Sequence, residues 1–280
     1  MIVPPPLDVA AARHLAPAAF ARPLGARLRR AGAWLVFLAV LAVALWRVDL
    51  SPARLIAGIG KLGWLLALMM PPAHNGWLAE FSWAMLQTVA MALAGTALAM
   101  IAAVPLGFLG ARNVVPVGLL HFGFRRVSDG LRGVDTLIWA LMFVNAVGLG
   151  PFAGVMAIAV SDAGTLGKLF AEAVENVDRR PVEGVRAAGA SRLQAIRFAI
   201  LPQVFPVLLS HVLYYLESNT RSATILGVVG AGGIGFQLAE RIRLNHWNEV
   251  AFIILMILAA VTAIDACSKA VRLRVIRGAP

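Results

Sequence analysis

Residues 183–202 read EGVRAAGASRLQAIRFAILP. The stretch is polar and amphipathic, and strongly apolar runs flank it on both sides. Pro181 stands just ahead of it, where a missing N–H costs a helix start nothing. Glu183 is expected in the first turn of that helix, where a negative charge suits the helix dipole. Gly189 breaks the run. Ser191 is placed to cap a second short helix in which Leu193, Ile196 and Ile200 recur at helical spacing, and Pro202 is expected to stop it. Arg186, Arg192 and Arg197 are left to face water or an acidic surface. Taken alone, the segment is a helix–turn–helix loop between apolar stretches.

Composition sets the context of that loop. The chain has 280 residues, of which 60% are hydrophobic and 14% charged. Soluble domains carry about 25% charged residues, so a polytopic membrane protein is expected. A formal charge of +11 would also suit nucleic acid. Here, however, the basic clusters alternate with apolar runs of about twenty residues, which is the pattern of membrane topology. The single cysteine, Cys267, excludes an intrachain disulfide and a cysteine metal cluster, and reads as a helix-packing residue.

Along the chain, residues 1–30 are Ala/Pro-rich and basic, and read as a flexible cytoplasmic tail rather than a cleaved leader. Apolar spans are expected at about 31–46, 78–109, 134–147, 152–170, 204–229 and 250–267. A patch at 62–70 is too short to cross. Gln87, Thr88, Gly95 and Thr96 suit helix–helix contact within the second span. Residues 111–132 read as a basic connection, 236–248 as a polar loop, and 271–280 as a tail. Eighteen Lys/Arg fall on the side of both termini and five on the other. The positive-inside rule then places both termini, and the 179–202 loop, in the cytoplasm.

The spacing in the opening stretch resembles the coupling loop of bacterial ABC importer permeases. That loop has Glu-Ala-Ala, three residues, Gly, nine residues, Ile, one residue and Leu-Pro. Here Glu183-Gly184-Val185 stands at the triplet, Gly189 at the glycine and Leu201-Pro202 at the end, while Gly184, Val185 and Ala199 depart from the pattern. Three further runs resemble phosphonate-type permeases: Phe143–Leu149, Ala163–Glu172, and Tyr214–Gln237, which reads YYLESNTRSATILGVVGAGGIGFQ. Methionine-type permeases share the glycine-rich turn.

The resemblance implies an all-α polytopic bundle of the type I ABC importer permease fold, with about six transmembrane helices, in the bacterial inner membrane. It implies a second permease copy or close paralogue, a cytoplasmic ABC ATPase dimer, and a periplasmic or lipoprotein substrate-binding protein, besides membrane lipid. It assigns Glu183, Gly184, Ala187, Gly189, Leu201 and Pro202 to ATPase coupling. ATP and Mg would belong to the partner, since no G-x-x-x-x-G-K-[ST] run is present. No cofactor, metal or nucleic acid is expected on this chain.

The residues themselves nominate a pathway. Glu217 and Arg221 stand four apart on one helix with Glu first, the favourable order, near Asn219 and Ser222. Charge within a span is costly and faces a bundle interior or an aqueous path. A neutralised pair locking helices together is the competing reading. Arg221 would suit a passing phosphonate dianion. Asn145, Ser161, Asp162 and His211 are weaker candidates. Gly230, Gly232, Gly233 and Gly235 fit G-x-G-x-x-G, but no βαβ unit surrounds them, so a close-packed helix turn is expected instead.

The expected function is the permease subunit of an ATP-driven importer for phosphonate or a related phosphorus oxyanion, working by alternating access. Phosphite, phosphate or a methionine-like molecule are alternative substrates. A stand-alone secondary transporter would need ion-coupling carboxylates and often an inverted repeat, and only Asp162, Glu217 and Asp265 are available. An intramembrane enzyme would need a catalytic constellation, and none is evident.

Overall fold

A computed structural model describes residues 24–48, 51–115 and 117–277. The chain divides into two compact units, Met1–Leu65 and Leu66–Pro280. The first holds α1 (Leu24–Arg47) and most of α2 (Pro52–Leu68). From Leu28 to Arg47, α1 is long and apolar enough to cross a membrane, and its side chains are exposed throughout. The expected 1–30 tail is helical from Leu24 onward, because the arginines there propagate a helix well. Its first 23 residues lie outside the described part. The 62–70 patch is the end of a longer helix, α2.

The second unit is built around α6 (Pro151–Glu175). Pro151 starts it in the first turn, as proline's fixed φ favours. Its glycines and alanines let neighbours approach closely. α3 (Leu78–Gly110) runs along it, with Gly95 against Ile158 and Gly107 against Phe170. A Cβ at Gly95 would lie 2.7 Å from that of Ile158. Small-residue contact of this kind is how helices associate in lipid, where no hydrophobic drive separates helix from tail.

Residues 111–132 are not a loop. α4 (Gly118–Arg132) packs on α6, and α5 (Thr136–Val147) follows at a bend of 82°. Asp135 caps α5 by accepting from Leu137 N–H at 2.8 Å. Twelve residues of α5 cannot cross about 30 Å alone, so the expected third span is a bent α4–α5 pair, either one broken span or a re-entrant loop. α4 is folded polar side in: His121 and Ser128 are buried against the bundle, while Leu119, Phe122 and Val127 are exposed. Ser128 and Leu131 meet Gly164 of α6.

After α6 come α7 (Arg179–Ala187) and α8 (Arg192–Ala195). α8 runs through a π-helical turn, Ile196–Ile200, into α9 (Leu201–Leu226). Pro202 thus opens α9 instead of stopping a helix. It has no N–H for the Phe198 carbonyl and its ring would crowd that group. The wider π turn, with Leu201 N–H on the Ile196 carbonyl, accommodates both. The same turn re-phases the expected stripe: Ile200 is buried and Leu193 is exposed.

α9 runs into a kink at Gly230, whose backbone is non-helical with φ +106°, before α10 (Gly233–Arg243), so most of the expected 236–248 loop is helical. Thr88 of α3 closes that junction, accepting from Ile234 N–H at 2.8 Å and donating to the Ala84 carbonyl. α11 (Trp247–Arg277) is the last described helix and continues through most of the expected tail. Five described helices are long and apolar enough to cross a membrane, or six counting the bent α4–α5 pair as one span. All regular structure among the described residues is helical.

Candidate functional site

The coupling segment is held at one end of the second unit. Asp178 caps α7 by accepting from Arg180 N–H at 3.0 Å. Pro181 and Glu183 are the third and fifth residues of the helix that begins at Arg179. Glu183 is therefore past the first turn, and the aspartate at the cap interacts with the dipole in its place. Gln203, at the start of α9, accepts from Asp178 N–H at 3.0 Å and donates to the Ala199 carbonyl at 2.8 Å. The start of α7 and the start of α9 are thereby one joint.

Gly189 has φ +84°, a conformation that glycine adopts without steric cost. Its N–H reaches the Arg186 carbonyl at 2.9 Å. Ser191 and Gln194 form a reciprocal capping box on α8. Glu183, Gly184, Ala187, Gly189, Leu201 and Pro202 are all exposed. So are Leu193 and Phe198, with Arg197 stacked on Phe198 at 5.5 Å. A cleft of about 280 Å³ between α7 and the bundle is lined by Asn113, Glu175, Val182, Glu183, Arg186 and Ile200. The segment presents apolar and basic side chains on a surface fixed from behind.

Glu175 supplies much of that fixing. Its carboxylate accepts from Arg112 N–H at 2.8 Å and from Arg125 Nη2 at 2.7 Å, while Asn113 donates to the Val174 carbonyl at 2.6 Å. The ends of α3 and α6 meet the middle of α4 there. Asp129 likewise gathers Arg126, Arg132 and Lys168. Neither cluster is legible in the sequence, because their partners lie up to 63 residues apart.

On α9 the candidate pathway residues separate into two faces. Arg221 Nη1 donates to Glu217 Oε1 at 3.3 Å, and the Arg221 side chain is 54% exposed. Asp265 of α11, itself paired with Lys269 at 2.6 Å, lies near Glu217. Ser222 is half-buried. Asn219, two residues from either charge, points the opposite way and is 4% exposed. Its Nδ2 donates to Asp162 Oδ2 at 2.5 Å and to Thr96 Oγ1 at 2.9 Å. Asn219 therefore does not line an open surface, since a residue 200° around the helix from Arg221 must face inward. Asn145 is exposed on α5 and donates to its own helix at Leu141. Ser161 bonds Thr136 at 2.9 Å, and His211 lines a separate cleft near Gln203.

The glycine turn is a packing device. Gly230, Gly232 and Gly233 have positive φ. A Cβ at Gly227 would lie 2.5 Å from the Gly232 carbonyl oxygen, and one at Gly235 would overlap the Thr224 carbonyl. Among the described residues no group of three or more His, Cys, Asp or Glu side chains could hold a metal.

The model of one family, the binding-protein-dependent transport system inner membrane component, matches residues 103–277. That region contains the coupling segment, α9 and the glycine turn. The chain belongs to this family. Its relatives include the phosphite transport system permease protein PtxC of Stutzerimonas stutzeri, 42% identical over 87% of this chain and 89% of that one. The phosphate-import permease protein PhnE of Mycolicibacterium smegmatis is 35% identical over 96% of this chain and 51% of its own length. Among solved structures, a chain of the inward-facing MetNI methionine ABC transporter superposes with a TM-score of 0.64 at 18% identity, covering 72% of this chain and 99% of that one.

As a binding-protein-dependent permease, the chain is a multi-pass transport subunit rather than an enzyme. The family implies an ATPase and a substrate-binding protein as partners. At the opposite end from the coupling segment the permease carries a feature that sequence reasoning missed. Arg241 and Glu249 are both buried, with Nε and Oε2 3.1 Å apart. Asn75 donates to Glu249 at 2.8 Å, and Arg241 lies 4.7 Å over the Trp77 ring. This pair ties α10 and α11 to the start of α3.

Proposed function

We propose that the chain is the membrane subunit of an ATP-driven importer for a phosphorus oxyanion: phosphite, phosphonate or phosphate. The observation that carries this reading is near-full-length identity of 42% to a permease named for phosphite. A phosphate-import permease at 35% supports the wider class. Likeness to the methionine transporter, at 18% identity, supports the fold and no substrate.

ATP hydrolysis belongs to a separate subunit that receives α7, with Gly189 setting the break between the two short helices. Exposed Leu193 and Phe198 and the arginines around them offer that subunit an apolar and basic footprint. Both termini are cytoplasmic, as the charge asymmetry indicates, and a second copy completes the pathway. Glu217 and Arg221, with Ser222 and Asn145, line it. A guanidinium that is more than half exposed on a spanning helix is not stable against acyl chains. That face of α9 therefore turns toward water or a second chain, where a fork of donors meets a passing oxyanion.

Growth tests this reading. Cells lacking other phosphorus importers, supplied with this chain, its ATPase and its binding protein, should grow on phosphite, phosphonate or phosphate as sole phosphorus source. Failure on all three, with the complex assembled in the membrane, overturns the substrate class.

A further inference from the structure

Asp162 sits within α6, a spanning helix, and is buried. Nothing in the coupling segment or the exposed face of α9 uses it. A carboxylate at such a site is costly, and a residue of that kind marks function more often than packing. Its hydrogen-bond partner is equally buried. Asn219 Nδ2 donates to Asp162 Oδ2 and to Thr96 Oγ1, while the Thr96 hydroxyl donates to the Ala92 carbonyl at 2.7 Å. Every proton is accounted for: Asn219 supplies two, Thr96 supplies one, and Asp162 only accepts. Three helices, α3, α6 and α9, meet in this tie.

The tie lies on the face of α9 opposite the charges. Glu217 and Arg221 share one face, and Asn219 lies about 200° from each. A helix that presents Arg221 outward must present Asn219 inward, and a directional contact fixes that rotation more sharply than packing does. Apolar neighbours such as Ala223 and Leu226 fit a small rotation almost as well, whereas a hydrogen bond weakens steeply with angle. A charged acceptor makes the bond about twice as strong as a neutral one.

We propose that Asp162 is a positioning residue for translocation: by holding Asn219 it sets the rotation of α9 and so points Arg221 and Glu217 into the path. This rests on the reading that Glu217 and Arg221 line the pathway. Asp162 touches no substrate. It acts through Asn219, and its effect appears in the orientation of α9 and in the coupling of ATP to uptake.

The test uses the complete complex in proteoliposomes, in a Cys267→Ser background, with a membrane-impermeant maleimide as probe. Single cysteines at Ile225, exposed on the Arg221 face, and at Thr220, buried beside Asn219, report the rotation. With Asp162 intact, Ile225→Cys labels and Thr220→Cys does not. Asp162→Asn keeps an acceptor for Asn219 and should retain both this pattern and uptake.

The decisive variant is Asp162→Leu with Asn219→Leu, which removes the tie without stranding a polar group, and apolar replacement of a buried polar pair is compatible with folding. It should assemble, lose the labelling contrast, and lose uptake per ATP hydrolysed by about tenfold, the effect of ~1.4 kcal/mol of misplacement. If it assembles with the contrast and the uptake ratio unchanged, the tie is packing alone and the proposal is overturned. Normal uptake by Arg221→Lys would instead end the pathway reading, and the labelling contrast would still decide whether Asp162 orients α9.

Discussion

Arg221 and Glu217 form an ion pair one turn apart on α9, with Nη1 and Oε1 at 3.3 Å, and only the arginine is well exposed, 54% against 17%. The carboxylate is sheltered beside α11 and the guanidinium reaches outward. A pair whose purpose was to lock two helices would bridge them, whereas this one leaves a donor fork free. Replacing Arg221 by Lys keeps the charge and removes the fork. Uptake should fall about tenfold, matching the loss of one charge-assisted hydrogen bond of ~1.5 kcal/mol, while assembly with the ATPase is unchanged. The double variant Glu217→Gln with Arg221→Gln leaves neither partner unpaired and keeps the Asp265–Lys269 pair. It should assemble, hydrolyse ATP and fail to transport, and normal uptake would reduce Arg221 to a structural role.

Gly189 has open space where a Cβ would be, so its φ of +84° is what a substitution must satisfy. Val is strained there by about 1–3 kcal/mol, whereas Asn tolerates the left-handed region. Gly189→Val should abolish ATP-driven uptake with the protein still inserted, and Gly189→Asn should retain most of it. Equal activity of the two variants in an uptake assay would mean that the break between α7 and α8 transmits nothing.

The spans and the coupling segment were legible because each is a local pattern. Apolar runs of membrane length marked α1, α3, α6, α9 and α11, and glycine and Leu-Pro spacing marked residues 183–202. Pro202 is ambiguous in the sequence because proline both ends helices and opens them, and only the π turn ahead of it decides which. α4 reads as a loop in the sequence because it buries His121 and Ser128 and exposes Leu119 and Phe122, the reverse of a soluble helix. The ties that place the site were not legible. Asn219 finds Asp162 across 57 residues and Asn75 finds Glu249 across 174, and no periodicity encodes such pairs.

Gly235 and Gly184 should respond oppositely to alanine. A Cβ at Gly235 overlaps the Thr224 carbonyl, and one at Gly184 meets nothing within 4 Å. Gly235→Ala should cost ~3 kcal/mol through backbone displacement and reduce the yield of monodisperse protein on size exclusion in detergent. Gly184→Ala should stabilise α7 by ~1 kcal/mol and leave the yield unchanged. A normal yield for Gly235→Ala would show that the turn is looser than described.

Leu193 and Leu244 are both exposed, one on the coupling segment and one at the end of α10. In a Cys267→Ser background, cysteines placed there should react with an impermeant maleimide from opposite sides of the membrane, Leu193→Cys only from the cytoplasmic side. Reaction of both from one side would contradict the orientation inferred from charge.

On this reading the chain provides the path by which ATP drives a phosphorus oxyanion inward. The direct measurement is uptake of radiolabelled phosphite, methylphosphonate and phosphate into proteoliposomes containing the chain, its ATPase and its binding protein, with D-methionine as comparator. The account predicts ATP-dependent accumulation of at least one oxyanion, about tenfold or more above D-methionine, a margin within reach of a site with matched polar groups, and its loss in Gly189→Val. Accumulation that persists without the ATPase, or accumulation of D-methionine in place of the oxyanions, would contradict it.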